Sequence, residues 1–302
     1  MTDQHDHDRD HPGRDRPGGT PRHRLVVLAA VLALATAATV TTLITTVASP
    51  TVVAGPVSPA DGRAIDPALT AVIVPMPVTD AELAALPEAT TFTTLPETPP
   101  DPDPAGVPSG RVLHPTTAIP VYMDPGARAF AALPPLQLGS DTWVPVVEER
   151  PGWARVLLPT RPQHSTGWVF TDDPRVTSAR TPYRIVVDRA TFSLTLLQDE
   201  VQVGRWSVGV GKPEAVTPTG RTFLLASIRE TQPIYSDIVL PLGTHSQTHT
   251  SYGGGPGTVG IHTWPTPEVY GTASSDGCVR VPRDALDAIS TRVPLGTPVL
   301  IA

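Results

Sequence analysis

The pattern of hydrophobic and polar positions divides the chain into segments of different character. Residues 1–24 mix acidic, arginine and histidine residues without apolar periodicity, which is typical of a disordered, solvated head. Residues 25–48 carry no charge; as a helix they would run about 36 Å, enough to cross a hydrocarbon core of about 30 Å. Residues 49–109 are rich in proline, which predicts an extended, semi-rigid linker with one short helix capped by Asp80.

From residue 110 onward, short runs of β-forming residues alternate with turn signals, so the fold class is mainly β. In residues 110–180 the strand candidates are AIPVYM, TWVPVVEE, WARVLLP and TGWVFT. Residues 181–302 continue with paired strands that turn at QDE and with TFLLASIRE. The segment PRDALDAISTRV is the one convincing helix, with Pro282 in its first turn and Leu286, Ile289 and Val293 on one face. The chain closes with a buried strand, LGTPVLIA.

The spacing of strands in residues 110–180 indicates a small β-barrel. The segments PGWARV and GWV resemble the bacterial SH3-like modules that accompany cell-wall enzymes. Trp143, Trp153 and Trp168 could form a ligand groove, although burial in the core is the favoured interpretation.

Charge asymmetry orients the uncharged segment 25–48. Arg22 and Arg24 precede it, whereas residues 49–109 contain one arginine and eight carboxylates. This distribution predicts a single-pass anchor in the cell membrane, with the N-terminus in the cytoplasm and the rest in the cell-wall space. The alternative is a signal peptide cleaved after Ala48, which would release a secreted protein. A net charge of −7 argues against nucleic-acid binding.

Cys278 is the only cysteine in 302 residues. Outside the cytoplasm, structural cysteines normally occur in pairs as disulfides. An unpaired cysteine there is either an inert buried side chain or a reactive thiol.

Residues around Cys278 could support nucleophilic catalysis. His262 lies sixteen residues earlier, where a loop could bring it within reach as a base. Gly277 allows close backbone approach, so its amide and that of Cys278 could donate to an oxyanion. Arg280 would share a face with Cys278 in an extended segment and could favour the thiolate or bind a substrate carboxylate. An inert cysteine and a structural histidine remain open on this spacing alone.

Several ordered motifs resemble the L,D-transpeptidases with a YkuD-type catalytic domain. In residues 181–302 these are IVVDRATFSLTLL, VGVGKPEAVTPTG, GGGPGTVGIH, SDGCVR and VPLGTPVLI. The resemblance implies a β-sandwich that cross-links peptidoglycan and needs no cofactor.

The resemblance also implies roles for individual residues. Cys278 would be the nucleophile and His262 the base, oriented by the backbone carbonyl of Thr263. The amides of Cys278 and Gly277 would form the oxyanion hole. The donor would be a tetrapeptide stem, which forms a thioester before a second stem completes a 3→3 cross-link; carbapenem-type inhibitors would acylate the same thiol. Tyr252, Ser275 and Asp276 are expected to bind substrate. From its own surroundings in sequence, His245 is assigned to the substrate groove, with a structural role as the alternative.

Asp276 departs from the family pattern, which usually has histidine two residues before the cysteine. A carboxylate there would raise the pKa of the Cys278 thiol unless it pairs with Arg280 or His262. Activity could then be weaker or the substrate different.

Other functions remain as alternatives. An L,D-carboxypeptidase would hydrolyse the same thioester, and a catalytically weak relative could act as a wall-binding protein. A sortase-like cysteine transpeptidase would carry its arginine on a separate later strand, and NlpC/P60-type peptidases place cysteine before histidine. A metal site at His245 and His249 would require a helix, which the surrounding glycine, proline and threonine disfavour.

Overall fold

The structure is a computed structural model that describes residues 71–232, 234–251 and 255–302. Within these ranges no helix is long and apolar enough to cross a membrane. The predicted head 1–24, the predicted anchor 25–48 and Tyr252 lie outside the described residues, as does the first part of the predicted linker.

The first β module is built around one seven-stranded sheet. In sheet order its strands are β3 (Ala129–Leu133), β2 (Ile119–Tyr122), β8 (Thr166–Phe170), β7 (Trp153–Leu157), β6 (Val144–Arg150), β1 (Arg111–Pro115) and β9 (Val176–Arg180). A separate short hairpin joins β4 (Leu136–Gln137) to β5 (Ser140–Asp141). The four strands predicted from sequence are all present, whereas the SH3-like assignment stays a prediction.

The aromatic residues of this module are mainly core residues. The side chains of Trp153 and Trp168 are almost completely buried, and the Trp153 ring packs edge-on against Tyr122. Trp143 is only half-buried and stacks on His114, with ring centroids 5.0 Å apart. Burial in the core is therefore confirmed for Trp153 and Trp168.

The short helix predicted in the proline-rich segment is α1 (Asp80–Ala85), but its cap is Thr79 rather than Asp80. The Thr79 hydroxyl accepts from the Glu82 amide at 3.2 Å, and the Glu82 carboxylate accepts from the Thr79 amide at 2.8 Å. This reciprocal capping box satisfies two amides that the helix leaves without partners, which Asp80 inside the first turn could not do.

Residues 87–106 are packed against the rest of the protein rather than extended as a spacer. Ala89 and Leu95 are buried in the core of the first module. The Asp101 side chain is completely buried and forms an ion pair with Arg221 of the second module. Proline lacks the amide needed for a continuous ladder, and this segment meets its neighbours through isolated β-bridges.

The second module is a two-layer β-sandwich. One sheet has the order β12 (Val201–Ser207), β11 (Ser193–Gln198), β10 (Tyr183–Asp188), β20 (Pro298–Ile301) and β14 (Gly220–Phe223). The other has the order β15 (Ile228–Arg229), β16 (Ile238–His245), β17 (Thr258–His262) and β19 (Val279–Arg280). A two-stranded pair, β13 (Val210–Gly211) and β18 (Ala273–Ser275), completes the strands.

Both sheets and helix α2 (Arg283–Arg292) contribute to one apolar core. Leu194 and Leu196 come from the first sheet, Ile261 comes from the second, and Leu286 and Ile289 come from the helix as predicted. Pro282 is the N-cap of α2 rather than a first-turn residue.

The chain turns between β11 and β12 at Asp199 and Glu200, within the QDE segment that predicted the hairpin tip. β20 pairs in parallel with β10, which confirms the predicted closing strand. The core formed by the two sheets and α2 fixes β17 and β19, which hold the candidate site.

Candidate active site

Parallel pairing of β17 with β19 brings the histidine and the cysteine together. His262 lies opposite Arg280 in the register, and Ile261 lies opposite Val279. Paired residues face the same side of a sheet, and so do residues two apart on one strand. Cys278 lies in the turn immediately before β19, next to these paired positions. Cys278 and His262 both line one small open pocket.

Besides the strands, the connection between β16 and β17 and the turn between β18 and β19 contribute to the pocket. Its lining residues are Ser246, His249, Gly257, Thr258, Val259, His262, Trp264, Ser275, Asp276, Cys278 and Arg280.

Cys278 is half-buried and lines this pocket. Burial raises its pKa above the ordinary value, while the Gly260 backbone amide and the Arg280 charge act in the opposite direction. A raised pKa leaves the thiol protonated at neutral pH, so its reaction as a nucleophile requires a base.

His262 is suited to be that base. Its side chain is almost completely buried, and burial lowers its pKa to about 4, so the imidazole is neutral at pH 7. Its Nδ1 lies 2.7 Å from the backbone oxygen of Thr263. A carbonyl can only accept, so Nδ1 carries the proton and Nε2 is left as the acceptor.

Thr263, whose carbonyl orients His262, is itself held in place by hydrogen bonds. The Thr263 amide donates to the Ser236 hydroxyl at 3.1 Å, and the Thr263 hydroxyl donates to the backbone oxygen of Tyr235 at 3.1 Å. The Tyr235 ring also packs against the His262 imidazole, with centroids 4.7 Å apart. These contacts hold Thr263 and the imidazole ring in place, and the hydrogen bond from Nδ1 fixes the tautomer expected for a base.

The turn before Cys278 depends on Ser275 and Thr217. The Ser275 hydroxyl accepts from the Gly277 amide at 3.1 Å and donates to the Cys278 carbonyl at 2.6 Å. The Thr217 hydroxyl donates to the Gly277 carbonyl at 2.9 Å. Gly277 has a φ of +117°, a backbone conformation that residues other than glycine rarely adopt.

These contacts correct the predicted oxyanion hole. The Gly277 amide already donates to the Ser275 hydroxyl, so it is not a free donor for an oxyanion. The Cys278 amide remains the candidate donor. Ser275, predicted to bind substrate, also lines the pocket, but its hydroxyl is hydrogen-bonded within the turn to Gly277 and Cys278.

Asp276 pairs with neither Arg280 nor His262, the two partners considered from sequence. Its carboxylate lies 2.7 Å from Nζ of Lys212 and 3.7 Å from Nε2 of His249. The hydrogen bond from Lys212 is the main reason why the pKa of Asp276 is lowered. Lys212 is the only lysine in the chain. The carboxylate near the thiol is therefore paired with a cation that was not expected at this site, although its charge still raises the pKa of Cys278.

Arg280 is the other charged side chain that lines the pocket beside Cys278. Its guanidinium carbon is 3.7 Å from the centroid of the Trp264 ring, a close cation–π contact. Nη1 donates to the backbone oxygen of Ser274 at 3.3 Å. Arg280 thus has a fixed position in the pocket, from which its charge lowers the pKa of Cys278.

The second module is similar in sequence to known proteins. The family model of the YkuD L,D-transpeptidase catalytic domain matches residues 182–301. This segment is an L,D-transpeptidase catalytic domain. A putative L,D-transpeptidase, YqjB of Bacillus subtilis (strain 168), is 28% identical over 127 residues, which cover 40% of this chain and 70% of the relative.

Solved structures of L,D-transpeptidases are also similar to this chain. One from Mycobacterium smegmatis has 15% identity and a TM-score of 0.35, covering 50% of this chain and 90% of its own. L,D-transpeptidase 3 from Mycobacterium tuberculosis has 16% identity and a TM-score of 0.35, covering 55% of this chain and 76% of its own.

One residue predicted for the substrate groove of the L,D-transpeptidase domain lies elsewhere. His245 is completely buried, and its Nε2 lies 2.8 Å from the backbone oxygen of Thr91 and 2.9 Å from its hydroxyl. Burial lowers the pKa of His245 to about 4. The prediction of substrate binding by His245 is wrong, because its side chain joins the proline-rich segment to the sheet.

Lys212, Thr217 and His249 are among the residues that were not assigned to the catalytic site from sequence. Lys212 could have been noticed as the only lysine within a family motif, and Thr217 belongs to the TPTG motif. His249 was considered only as a metal ligand, but it forms part of the pocket wall. Tyr252, the remaining predicted residue, lies outside the described residues.

Proposed function

We propose that this L,D-transpeptidase domain joins peptidoglycan stems through 3→3 cross-links and a thioester on Cys278. The observation that carries the proposal is the neutral His262, whose Nδ1 is held by the Thr263 carbonyl while it shares a pocket with the only thiol in the chain.

In the first half-reaction, Nε2 of His262 takes the thiol proton as Sγ of Cys278 attacks a carbonyl carbon of the donor tetrapeptide. The attacked carbonyl belongs to the third residue of the stem. A C–S bond forms, the developing oxyanion accepts from the Cys278 amide, and the C–N bond to the terminal D-alanine breaks. The His262 imidazolium gives its proton to the departing amine, so D-alanine leaves and His262 is neutral again.

In the second half-reaction, the side-chain amine of another stem attacks the thioester carbon. His262 removes a proton from this amine, the new amide bond forms, and the thiolate of Cys278 leaves and is protonated again. Attack by water instead of the amine would give a carboxypeptidase, which is the second candidate function.

A thiol with this activation would also open a β-lactam. The ring carbonyl is strained, and its attack by Sγ needs the same base and the same amide donor. L,D-transpeptidase 3 from Mycobacterium tuberculosis has been solved in complex with a faropenem-derived adduct. For this chain we propose acylation by carbapenem-type inhibitors on the chemistry of Cys278 and His262.

We also propose that residues 25–48 anchor the protein in the cell membrane, with the catalytic domain in the cell-wall space. Support comes from the uncharged segment and from Arg22 and Arg24 before it. Since Cys278 is the only thiol, a membrane-impermeant maleimide should label it in intact cells, and a chain without residues 25–48 should remain inside. Labelling only after lysis would refute this topology.

The function is tested by mass spectrometry of the purified full chain mixed with a disaccharide-tetrapeptide. We expect an adduct on Cys278 with loss of D-alanine, followed by a cross-linked dimer, and no adduct with the Cys278→Ala variant. Tripeptide without dimer would indicate a carboxypeptidase. A folded protein with a free thiol and no adduct would refute the transpeptidase and favour a wall-binding protein.

A further inference from the structure

One wall of the active-site pocket is held by a residue of the first β module. The connection between β16 and β17 supplies Ser246, His249 and Gly257 to the pocket lining. This wall contacts the module at Arg161, which lies on the loop between β7 and β8.

Arg161 donates to three backbone carbonyls of this connection. Nη1 lies 3.2 Å from the oxygen of Ser246, and Nη2 lies 2.9 Å from that of Pro256 and 3.4 Å from that of His249. Hydrogen bonds from a charged donor are about twice as strong as neutral ones. A planar guanidinium can reach several acceptors at once, which a single ammonium nitrogen cannot do in the same geometry.

Both sides of this contact are locked in position. The backbone of Arg161 is paired with the proline-rich segment: its amide donates to the Thr93 carbonyl at 3.0 Å, and its carbonyl accepts from the Leu95 amide at 2.7 Å. Nearby, Nε2 of Gln163 donates to the His245 carbonyl at 2.5 Å, just before the connection begins.

Gly257 shows how tightly the connection closes on Arg161. A Cβ atom at Gly257 would lie 2.1 Å from the His249 backbone oxygen and 3.1 Å from Nη2 of Arg161. The Ser246 amide also donates to the Gly257 carbonyl at 2.9 Å, so the two ends of the connection meet at the guanidinium.

The arrangement reaches the reacting centre through His249. While Arg161 binds its backbone, the His249 ring lies beside Asp276, two residues before the nucleophile. The base His262 belongs to β17, and the nucleophile Cys278 belongs to the turn before β19. Arg161 contacts neither element in the hydrogen bonds described. The contact therefore shapes the wall against which a substrate lies, and leaves the chemical groups in place.

We infer that Arg161 is a positioning residue of the active site, and that the first β module forms part of the binding site for the stem peptide through it. The kinetic part of this inference rests on the proposed transpeptidase function. A module that only tethered the enzyme to the wall would not need to fix the pocket.

The test compares Arg161→Gln and Arg161→Lys with Arg111→Gln, in the full chain. Arg111 is a matched control because it is an arginine of the same module that pairs with Glu149, away from the pocket. For each variant we would measure KM and kcat for cross-linking of a disaccharide-tetrapeptide. Hydrogen exchange would be followed at the amides of Ser246 and His249.

For Arg161→Gln we expect a KM about tenfold higher with kcat changed less than about twofold, because the wall is loosened while Cys278 and His262 keep their geometry. Exchange at Ser246 and His249 should be about tenfold faster. Arg161→Lys should lie between wild type and Arg161→Gln, and Arg111→Gln should match wild type.

Unchanged KM and exchange in Arg161→Gln would overturn the inference, and so would equal changes in Arg111→Gln. If Arg161→Gln does not fold, Arg161→Lys decides, and wild-type KM and exchange in that variant would overturn the need for a guanidinium. If the wild type itself gives no product, the proposed function fails. The exchange measurement then still decides whether Arg161 holds the wall.

Discussion

The buried ion pair between Asp101 and Arg221 provides the sharpest test of how the proline-rich segment contributes to the protein. Nε of Arg221 lies 2.6 Å from Oδ2 of Asp101, and Nη2 lies 2.5 Å from Oδ1. The exposed fractions of the two side chains are 4% and 0%. The segment also wraps the arginine through its backbone, since the Arg221 amide donates to the Pro104 carbonyl at 2.7 Å.

We expect Asp101→Ala to destabilise the protein strongly, because it leaves the Arg221 guanidinium buried without its carboxylate. Breaking a buried pair by removing one partner costs about 3–5 kcal/mol. With a urea dependence of about 2 kcal/mol per molar, the unfolding midpoint should fall by about 2 M. A typical domain has only about 5–15 kcal/mol of stability, so the loss would be a large part of the total.

Two further variants isolate the cause. Asp101→Ala combined with Arg221→Met removes both charges and should recover much of the lost stability, since apolar replacements of a buried pair are often neutral. Glu149→Ala breaks the Arg111 pair, in which the Glu149 side chain is 51% exposed, and should cost less than about 1 kcal/mol. A midpoint for Asp101→Ala equal to that of Glu149→Ala would refute the reasoning and make the segment a simple linker.

Three other predictions concern titration at the site. The unfolding free energy should fall by about 3 kcal/mol for each of His245 and His262 between pH 7 and pH 4. Their folded pKa values of about 4 lie below the unfolded value, so the unfolded chain binds more protons in that window. Urea midpoints that do not change with pH would contradict this. The kcat/KM of cross-linking should keep its acid limb near pH 4 rather than 6.5, because the base His262 stays neutral down to that pH; an acid limb at 6.5 would show that burial does not control His262. Replacement of Lys212 by methionine should raise the pKa of the Cys278 thiol, and Asp276→Asn should lower it, as read from the pH dependence of alkylation by iodoacetamide; shifts of the opposite sign would mean that the Asp276 charge does not reach the thiol.

Local patterns predicted the parts of this fold that local forces determine. Alternation located the β strands, and the apolar face of Leu286 and Ile289 predicted helix α2. The sixteen-residue separation of His262 and Cys278 predicted that a loop could bring them together. The parallel register of β17 and β19 is the physical basis of that result.

Contacts between distant parts of the sequence could not be predicted in this way. Lys212 and Asp276 are 64 positions apart, and nothing in either local sequence specifies their pairing. The same limit explains the error at His245, whose partner Thr91 lies in a segment expected to be an extended linker. At Gly277 the error was local in origin, because the competing acceptor was the Ser275 hydroxyl two residues away.

The proline-rich segment and the first β module contact an irregular region of the sheet that carries the candidate active site. The pairing of β16 with β17 has a register shift between Pro241 and His245, so the ladder is interrupted there. Thr91 bridges this region, since its hydroxyl lies 2.9 Å from Nε2 of His245 and 2.7 Å from the hydroxyl of Thr258. Arg161 holds the connection that follows.

Because β17 begins at Thr258 and ends at His262, these contacts hold the strand that carries the proposed catalytic base. Irregular pairing is tolerated where other groups satisfy the backbone and side chains it leaves without partners. Here those groups come from residues that precede the catalytic domain in sequence. The proline-rich segment and the first β module therefore belong to the structural support of the active site, and a catalytic domain cut at residue 181 would lack that support.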